Sequence, residues 1–527
     1  MLLATRRSDV DYLAAGYWEE RTVSSFLDRA ASSAPDQIAV RTGGGDITYR
    51  QLRDDVNAVA AGLTMRGVHR HDVVTVMLPN WHEAVPAIHG ATWAGCVVNP
   101  VVTTYRRAEL SFILDQSDSR AVVIPHVFRG FDYVKMLSEV TSTMARPPLV
   151  VVVRPQGSLP AGFIGFDELA AGAGPVNAVG DPADICLLLY TSGTTSQPKG
   201  VLHSHQTVLW EMRSIIREFT LGHDDRFFMA SPVGHLTGIV YGIYLPTLLR
   251  QSVSLLDVWD ASAAAGIIER DHCRVSLGAT PFLHGLVDEY RRRGTGSSLK
   301  LFLCGGADVP PDLVAQGTHV LDALVTRTYG SSEMPTYSVS GPHATLELCS
   351  TTDGTPLSPS SGHLINEKDG VGELVVQGPE LFLGYLDAGL NASAFTDDGY
   401  FRTGDLASVS DSGAITVRGR LKDIVIRGGE NISTLEVENH LRQHPDICDV
   451  AVIGYPDDRM GERVAAILIL SEGVSPDNIA AVDFLKARGL AAHKCPERIV
   501  AVAELPYTAS GKVHKQLLRQ QMSGGLV

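Results

Sequence analysis

The sequence predicts an α/β protein with a large N-terminal domain of helix-covered, largely parallel sheets and a small α+β C-terminal domain. In the first part of the chain, apolar runs of strand length alternate with apolar residues at helical spacing, as at 73–78 and 52–63. This alternation is typical of parallel sheets covered by helices. From about residue 340 the pattern changes to short strands and turns, at 372–378 and 413–417, which predicts a small antiparallel, barrel-like part.

Local patterns predict the elements of the N-terminal domain in order. After a first helix, two short extended runs around the three glycines of 43–45 predict a hairpin. The apolar residues of 208–219 fall on one face of a helix. Helices are expected at 23–34, 52–63 and 208–219, strands at 38–40, 47–49, 73–78, 121–125, 149–153 and 185–189, and a strand–turn–helix unit at 301–313.

The C-terminal part forms a compact unit of its own. We expect a helix at 434–443 and strands at 449–453 and 463–470. The charged segment 419–423 in front of this unit suits a hinge. Since 527 residues are too many for one core, the predicted domains are 1–420 and 421–527.

Composition excludes several classes of protein. A formal net charge of −15 argues against non-specific nucleic-acid binding, which needs a basic face. The seven cysteines are scattered without a CxxC pair, which favours reduced thiols in a cytoplasmic enzyme over disulfides or zinc. The first twenty residues lack the apolar core of a signal peptide, and no window approaches the ~18 apolar residues of a membrane span. We therefore expect a soluble protein.

The most informative segment is 190–200, Tyr-Thr-Ser-Gly-Thr-Thr-Ser-Gln-Pro-Lys-Gly, which directly follows the apolar run 185–189. Such loops present backbone N–H groups and hydroxyls to phosphate oxygens, and a lysine adds a point charge. The Walker loop is excluded because it needs Gly-Lys-[Ser/Thr] at the start of a helix, whereas Lys199 stands between Pro198 and Gly200. An ordinary turn-rich connection is the alternative, and the density of hydroxyls favours phosphate binding.

Three further segments carry residues suited to ATP. Residues 328–333, Thr-Tyr-Gly-Ser-Ser-Glu, offer a ring for adenine, a hydroxyl for phosphate and a carboxylate for Mg²⁺, whose preferred ligands are oxygens. Residues 400–405 end in Asp405, a carboxylate suited to a ribose diol, and residues 506–512 place Lys512 on a Ser-Gly loop. Taken singly, these segments are also explained by a simple turn, an Asx-type turn and a solvated charge near a chain end.

Their joint occurrence in this order resembles the adenylate-forming superfamily of acyl-CoA synthetases, aminoacyl adenylation domains and luciferases. The phosphate loop resembles that superfamily's [Ser/Thr]-Gly-Thr-Thr-x-x-Pro-Lys-Gly signature, and 329–333 resembles its Tyr-Gly-x-Thr-Glu. The other matching segments are 403–405, 419–423, 444–462 and 510–512. Ser196 and Ser332 depart from the usual glycine and threonine, and Thr434 departs from a common proline.

The resemblance implies how ATP is held. The phosphate loop binds the β- and γ-phosphates, 305–307 and Tyr329 line the adenine pocket, and Ser332 contacts the α-phosphate. Glu333 binds Mg²⁺, and Asp405 with Arg420 binds the ribose hydroxyls. The implied ATP- and AMP-binding residues are Thr191, Ser192, Gly193, Thr194, Thr195, Lys199, Gly305, Gly306, Ala307, Tyr329, Gly330, Ser332, Asp405 and Arg420.

The resemblance also implies two chemical steps. Lys512 is the catalytic cation that bridges the substrate carboxylate and the α-phosphate as charge moves to pyrophosphate, which is electrostatic stabilisation combined with orientation. The mobile small domain then rotates about a hinge at Lys422, which withdraws Lys512 and opens a path for a thiol. Gly428 and Gly429 would lie beside the pantetheine of coenzyme A.

The acid is predicted from the segment 231–238, Ser-Pro-Val-Gly-His-Leu-Thr-Gly. Superfamily members that adenylate amino acids usually carry an acidic residue here for the amine, whereas this chain has His235 and no carboxylate between it and Asp257. The segment through Gly242 is similar to bacterial synthetases for medium-chain or alicyclic acids. The expected acyl pocket comprises His235, Thr237, Gly238, Thr280 and Gly305, with His235 counted as catalytic. A structural role of His235 in the core is the alternative.

The expected function is an AMP-forming carboxylic acid:CoA ligase of fatty acid metabolism. Its expected partners are the small-molecule acid, ATP and coenzyme A, and a homodimer is left open. Coenzyme A is favoured because 334–378 is compact, while members that load carrier proteins tend to carry an insertion there. A stand-alone enzyme loading a carrier protein stays open, as does an ATPase or kinase of another class, which would release ADP. A non-catalytic nucleotide-binding module is disfavoured because Lys512 and Glu333 are both present.

Overall fold

The computed structural model describes residues 10–171, 174, 176–191, 198–306, 309–427, 430–457, 459–475, 480–488, 490–507 and 512–523. Contacts within the chain group into two compact units. The first unit comprises Met1–Ser361 and Gln377–Tyr400, and the second comprises Gly362–Val376 and Phe401–Val527. The predicted domains 1–420 and 421–527, and the hinge at Lys422, stay predictions.

The strands of the described chain are, in order, β1 (Ile38–Thr42), β2 (Gly45–Thr48), β3 (Val73–Val76), β4 (Val97–Pro100), β5 (Ala121–Pro125), β6 (Val127–Phe128), β7 (Phe131–Asp132), β8 (Leu149–Val153), β9 (Phe163–Gly165), β10 (Ile185–Thr191), β11 (Lys199–Ser204), β12 (Phe227–Met229), β13 (Val253–Leu255), β14 (Val275–Gly278), β15 (Leu301–Gly305), β16 (Leu324–Tyr329), β17 (Ser338–Val339), β18 (Thr355–Pro356), β19 (Ser361–Lys368), β20 (Val371–Gln377), β21 (Gly384–Tyr385), β22 (Phe401–Val409), β23 (Ile415–Arg420), β24 (Ile424–Arg427), β25 (Glu430–Ser433), β26 (Ile447–Asp457), β27 (Gly461–Leu470) and β28 (Arg498–Ala501).

The α-helices of the described chain are α1 (Ser24–Ser33), α2 (Tyr49–Met65), α3 (Ala84–Trp93), α4 (Arg107–Gln116), α5 (Tyr133–Thr141), α6 (Phe166–Ala170), α7 (His205–Phe219), α8 (Leu245–Leu249), α9 (Ala261–Asp271), α10 (Thr280–Arg293), α11 (Pro311–Leu321), α12 (Leu346–Thr351), α13 (Asn391–Ala394), α14 (Thr434–Leu441), α15 (Ala481–Ala487) and α16 (Lys515–Ser523). A π-helix spans Thr237–Tyr244, and 3₁₀-helices span Ala388–Leu390, Leu421–Asp423 and Ala492–Lys494. No helix in the described part of the chain combines the length and apolarity needed to cross a membrane.

An eight-stranded sheet of the first unit carries the phosphate loop. Its described strands lie in the order β21-β11-β10-β4-β3-β5-β8-β9. The pairs from β10 to β9 are parallel, and β11 and β21 are antiparallel neighbours. The inner strands are continuous apolar runs because both faces of a parallel sheet are covered: four of the five residues of Leu149–Val153 are buried.

A nine-stranded sheet forms the other half of the first unit. Its described strands lie in the order β18-β17-β16-β15-β14-β12-β13-β1-β2. The strands from β16 to β1 are parallel neighbours, while β2, β17 and β18 pair antiparallel at the two ends. The predicted hairpin is therefore β1–β2, and the predicted parallel α/β class is confirmed.

The second unit is built on antiparallel sheets. One has the described order β19-β20-β22-β23, which confirms the antiparallel part predicted near 372–378 and 413–417. The other has the order β25-β24-β27-β26, with β28 parallel to β27. The predicted C-terminal strands are the long hairpin β26–β27, and the predicted helix is α14, packed over a core that includes Val437, Leu441 and Val452.

The Glu211 carboxylate lies fully inside the first unit. Glu211 belongs to α7, which begins at His205, three residues before the predicted start, because the Ser204 side chain accepts a hydrogen bond from Thr207 N and caps the helix. Burial raises the pKa of Glu211 to about 7, and hydrogen bonds from Tyr241 and Thr336 oppose this shift. A carboxylate that is protonated more easily in the folded than in the unfolded chain makes stability depend on pH.

We expect Glu211 to lower stability as pH rises. Its pKa goes from an ordinary 4.5 to about 7 on folding, so between these values the folded state binds more protons than the unfolded state. The stabilising contribution is complete below the unfolded pKa and is lost as pH rises through the folded pKa. Relative to Glu211→Gln, the native chain should lose about 2 kcal/mol of unfolding free energy from about pH 5.5 to about pH 8.5. Urea unfolding of both proteins at the two pH values checks this, and a gap that does not change with pH contradicts it.

Candidate functional site

Four neighbouring parallel strands bring predicted site residues to one edge of the nine-stranded sheet. β12, β14, β15 and β16 run parallel to one another, so their carboxyl ends lie at the same edge, where open α/β sheets bind ligands. The turn with His235 follows β12, Thr280 follows β14, Gly305 ends β15 and Tyr329 ends β16. The sheet thus places the residues predicted for adenine and for the acyl group along one edge.

The phosphate loop is the connection of a β-hairpin. Thr191 at the end of β10 pairs with Lys199 at the start of β11, and Tyr190 pairs with Gly200. A strand therefore follows the loop, whereas a Walker loop leads into a helix. The pairing holds both ends of the loop in adjacent strands and fixes Lys199 at its mouth.

Tyr385 lies between Lys199 and Glu333. The Lys199 ammonium stands 5.0 Å from the centroid of the Tyr385 ring, within the range of a cation–π attraction. The Tyr385 hydroxyl donates to Glu333 Oε1 at 2.7 Å. Burial, together with the Glu333 carboxylate, raises the pKa of Tyr385 far above its ordinary value, so the hydroxyl remains a donor. The lysine predicted for phosphate and the carboxylate predicted for Mg²⁺ are thus brought together.

Hydrogen bonds to the carbonyls of Ser332 and Glu333 tie this segment to the eight-stranded sheet and the chain leading into it. The Nε2 of buried His203, on β11, donates to the Ser332 carbonyl at 2.7 Å. The Phe382 N–H donates to the Glu333 carbonyl at 2.8 Å. Tyr385 itself is held by strand pairing with Val201 of β11. Glu333 therefore follows a strand of the nine-stranded sheet, whereas residues of the eight-stranded sheet hold it in position.

Close backbone approach explains two of the predicted glycines. A Cβ on Gly330 would lie 1.8 Å from the Pro335 carbonyl oxygen, and one on Gly238 would lie 2.1 Å from the Pro232 carbonyl oxygen. No side chain fits in either place. Both glycines allow tight turns, one in front of Glu333 and the other at the start of the π-helix.

Asn80 holds the turn that carries His235. Its amide nitrogen donates to the carbonyls of Ser231 and Leu256, each at 3.0 Å, and its oxygen accepts from Val233 N at 2.8 Å. The π-helix that begins at Thr237 is buried from Gly238 to Tyr244. The predicted acyl segment therefore runs from a half-buried histidine and Thr237 into a buried, largely apolar helix.

In the second unit, Asp405 and Arg420 form the predicted ribose pair. They are cross-strand neighbours on β22 and β23, and Arg420 Nε lies 3.0 Å from Asp405 Oδ1. The Asp405 N–H donates to Thr403 Oγ1, whose hydroxyl donates to the Leu374 carbonyl at 2.6 Å. Asp405 is buried while Arg420 is exposed, so an oriented carboxylate stands beside an accessible cation.

Lys512 is exposed in the second unit. A bridge between Tyr507 and Val513 holds the chain next to it, and Lys515 anchors the following helix through Glu438 Oε1 at 2.8 Å. Lys422 lies in the 3₁₀-helix Leu421–Asp423, within this unit, and its side chain is outside the described set. The other predicted residues outside the described ranges are Ser192, Gly193, Thr194, Thr195, Ala307, Gly428 and Gly429.

Tyr385, His203 and Asn80 were not predicted from the sequence. Each acts through a partner far along the chain: Glu333 for Tyr385, Ser332 for His203, and Ser231 with Leu256 for Asn80. None lies in a segment whose composition suggests a ligand. Only the pairing of β21 with β11 and the packing of the two sheets reveal them.

Comparison with known proteins identifies the family. A model of the AMP-binding enzyme family matches residues 27–386, and a model of the AMP-binding enzyme C-terminal domain matches residues 436–512. The chain belongs to the AMP-binding enzyme family. The sequence-based assignment to the adenylate-forming superfamily, and to its ligases, is therefore confirmed.

Similar proteins of this family include two named by activity and one of known structure. The medium-chain fatty-acid–CoA ligase of Escherichia coli (strain K12) is 30% identical over 97% of this chain and 92% of its own length. The salicyl-AMP ligase / salicyl-S-ArCP synthetase of Mycobacterium tuberculosis (strain ATCC 25618 / H37Rv) is also 30% identical, over 97% and 92%. The crystal structure of ATP-bound MatB from Rhodopseudomonas palustris superposes with a TM-score of 0.84 at 25% identity, covering 95% of this chain and 99% of that one.

Removal of the Tyr385 hydroxyl should weaken the use of ATP by this AMP-binding enzyme. Tyr385→Phe keeps the ring near Lys199 but deletes the donor to Glu333. A hydrogen bond to a carboxylate is worth about 1.5–3 kcal/mol, so kcat/KM for ATP should fall about tenfold or more. Acid-dependent ATP–pyrophosphate exchange measures the effect. Tyr133→Phe, which deletes a hydroxyl bonded to the Thr103 carbonyl, is the control, and equal activities of the two variants contradict a role for the Tyr385 hydroxyl.

Proposed function

We propose that this enzyme is an ATP-dependent carboxylic acid:CoA ligase that forms AMP and activates a medium-chain fatty, alicyclic or aromatic acid through an acyl-adenylate. The observation that carries the proposal is the group formed by Lys199, Tyr385 and Glu333. It places a cation and a carboxylate together at the mouth of the phosphate hairpin.

This arrangement suits adenylation chemically. A carboxylate oxygen of the acid attacks the α-phosphorus of ATP; the new C(=O)–O–P linkage forms as the bond to pyrophosphate breaks. We assign Lys199 and Thr191 to the phosphates that leave, and Glu333 to Mg²⁺, which usually takes one or two carboxylates together with substrate phosphates. Positioning and charge stabilisation are the main contributions a protein makes to such a displacement.

We assign the remaining predicted residues to the same reaction. Asp405 and Arg420, paired at 3.0 Å, suit the ribose diol, and the exposed ammonium of Lys512 suits the carboxylate and α-phosphate. In the second step a thiolate attacks the acyl carbonyl, the C–S bond forms and AMP leaves. We assign Gly428, Gly429 and the hinge Lys422 to this step by resemblance to the superfamily. We also propose a cytoplasmic location, since all seven cysteines are unpaired and reducing compartments preserve thiols.

The residues of the acyl segment support a substrate acid that carries no amine. The carboxylate nearest in sequence to His235 on its C-terminal side is Asp257, which accepts a hydrogen bond from Trp81 Nε1 at 2.9 Å. The π-helix contributes buried apolar side chains such as Ile239 and Val240. The segment 231–244 itself contains no carboxylate to bind an ammonium, and the similar E. coli ligase is named for medium-chain fatty acids.

A second candidate is an adenylating enzyme that loads a carrier protein. It is favoured by the similar M. tuberculosis enzyme, which is named a salicyl-S-ArCP synthetase as well as a salicyl-AMP ligase, at the same 30% identity as the E. coli ligase. The two candidates share every nucleotide residue and differ only in the thiol that attacks the adenylate. The acceptor therefore has to be measured.

An ATP–pyrophosphate exchange screen tests the proposal. The purified enzyme is given Mg²⁺, ATP and single straight-chain, alicyclic, aromatic or amino acids, and acids that support exchange are then tested with coenzyme A and with a phosphopantetheinylated carrier protein. We expect exchange with apolar acids, AMP as product and an acyl-CoA thioester. Release of ADP, or exchange with amino acids alone, contradicts the proposal. Thioester formation on the carrier but not on coenzyme A supports the second candidate.

A further inference from the structure

A buried polar group beside the candidate site has no part in the reaction described above. The Tyr241 hydroxyl donates to Glu211 Oε1 at 2.6 Å and lies 2.7 Å from Thr336 Oγ1. The Thr336 N–H donates to the other carboxylate oxygen of Glu211 at 3.2 Å. All three side chains are buried, with Glu211 fully so.

The group joins three elements that carry predicted site residues. Glu211 belongs to α7, which directly follows the strand bearing Lys199. Tyr241 belongs to the π-helix that starts at Thr237, in the predicted acyl pocket. Thr336 lies shortly after Glu333 in the chain. A single carboxylate thus connects the phosphate, acyl and Mg²⁺ segments.

Stability alone does not account for such a group. A buried carboxylate costs free energy, and apolar residues of similar volume commonly replace buried polar groups without loss. Burial raises the pKa of Glu211 to about 7 and, with Glu211 next to it, raises that of Tyr241 well above its ordinary value. A second buried carboxylate, Glu380, which accepts from Ser360 Oγ at 2.6 Å, also raises the pKa of Tyr241. What apolar packing does not supply is a fixed direction between elements, which hydrogen bonds of defined geometry provide.

We propose that Glu211 is a positioning residue that fixes the start of the π-helix, with the predicted acyl residues Thr237 and Gly238, relative to the Glu333 segment, through Tyr241 and Thr336. The inference rests on the proposed function. The substrate carboxylate and the metal-binding carboxylate then share one support, so that loosening this support misaligns the acid against the α-phosphate while each ligand still binds. Misplacement by about 1 Å can cost up to about a hundredfold in rate.

Two buried tyrosines of the same π-helix provide a matched test. Tyr241→Phe removes the hydroxyl that bonds to Glu211, and Tyr244→Phe removes one that lies 3.0 Å from Thr92 Oγ1, away from the Glu333 segment. Both delete one buried hydroxyl from one helix. We expect Tyr241→Phe to lower kcat for acyl-adenylate formation about tenfold with the equilibrium affinity for ATP unchanged, and Tyr244→Phe to leave kcat unchanged.

Variants of Glu211 complete the test. Glu211→Gln keeps an acceptor for one donor and should retain more of the kcat than Glu211→Leu, even where Glu211→Leu unfolds at the higher temperature. A merely structural role predicts equal kcat per folded molecule for Tyr241→Phe and Tyr244→Phe. It also predicts that the kcat of the Glu211 variants follows their unfolding temperature and not the hydrogen bonds they keep. That result overturns the inference and leaves the proposed function intact. Absence of acid-dependent exchange in the unmodified enzyme, by contrast, overturns the proposed function and this inference with it.

Discussion

Lys512→Ala will reduce acyl-adenylate formation by about a hundredfold to a thousandfold while ATP binding persists. Preorganised cations stabilise charge that develops in the transition state, and loss of one such group costs about 10²–10³ in kcat. Lys512 presents an exposed ammonium on a segment fixed by the Tyr507–Val513 bridge. Alanine therefore removes the charge from a supported position without emptying a core site.

Two measurements define this expectation. ATP–pyrophosphate exchange should fall in proportion to kcat, whereas thioester formation from supplied acyl-adenylate and coenzyme A should stay near the native rate. Lys486→Ala is the control, because Lys486 is also an exposed lysine of the second unit. If the supplied adenylate is converted as slowly as the acid, Lys512 does not act in the first step alone.

Glu333→Gln will lower acyl-adenylate formation by about a hundredfold and increase the Mg²⁺ concentration needed for half-maximal rate. Glutamine retains an oxygen that can accept from the Tyr385 hydroxyl, so the contact at 2.7 Å can persist while the charge is lost. A hard divalent cation prefers charged oxygen ligands, and a metal-bound phosphate contributes several kcal/mol of transition-state stabilisation.

A Mg²⁺ titration of the exchange rate at fixed ATP checks this prediction. Glu347→Gln, on α12, is the matched control because Glu347 is an exposed glutamate of the same unit. A drop in rate with an unchanged Mg²⁺ dependence would assign Glu333 to support of the site rather than to the metal.

The fold was predictable where burial imposes a pattern. The apolar runs at 121–125 and 149–153 became β5 and β8 with those bounds, because strands covered on both faces need continuous apolar side chains. Boundaries were less accurate where capping decides them: α7 starts at His205 because of Ser204, not at the first apolar residue of its stripe. The strand order, in which β21 joins β11 from far along the chain, has no local pattern.

The candidate site was predictable only for residues within short segments. Lys199, Glu333 and Asp405 stand in sequences whose composition suits ATP, so they could be proposed as ATP-binding residues without coordinates. Tyr385 and Glu211 act through residues on other elements, and single-sequence patterns carry no information on such pairs. Thr280 and Gly305 are predicted to line the acyl pocket. They lie at the same sheet edge as the turn with His235 only because β12, β14 and β15 are consecutive in the sheet, which no local sequence pattern indicates.

The aromatic ring between Lys199 and Glu333 also affects how the two charged groups of the site interact. These two described side chains carry opposite charges in one small region, yet they form no ion pair with each other, because the ammonium faces the ring of Tyr385 and the carboxylate takes its hydroxyl. The Tyr385 side chain therefore separates the ammonium of Lys199 from the carboxylate of Glu333. In the proposed reaction, the phosphates and Mg²⁺ would meet a cation and a carboxylate that are already oriented, so little reorganisation of the protein would be needed at the moment of reaction.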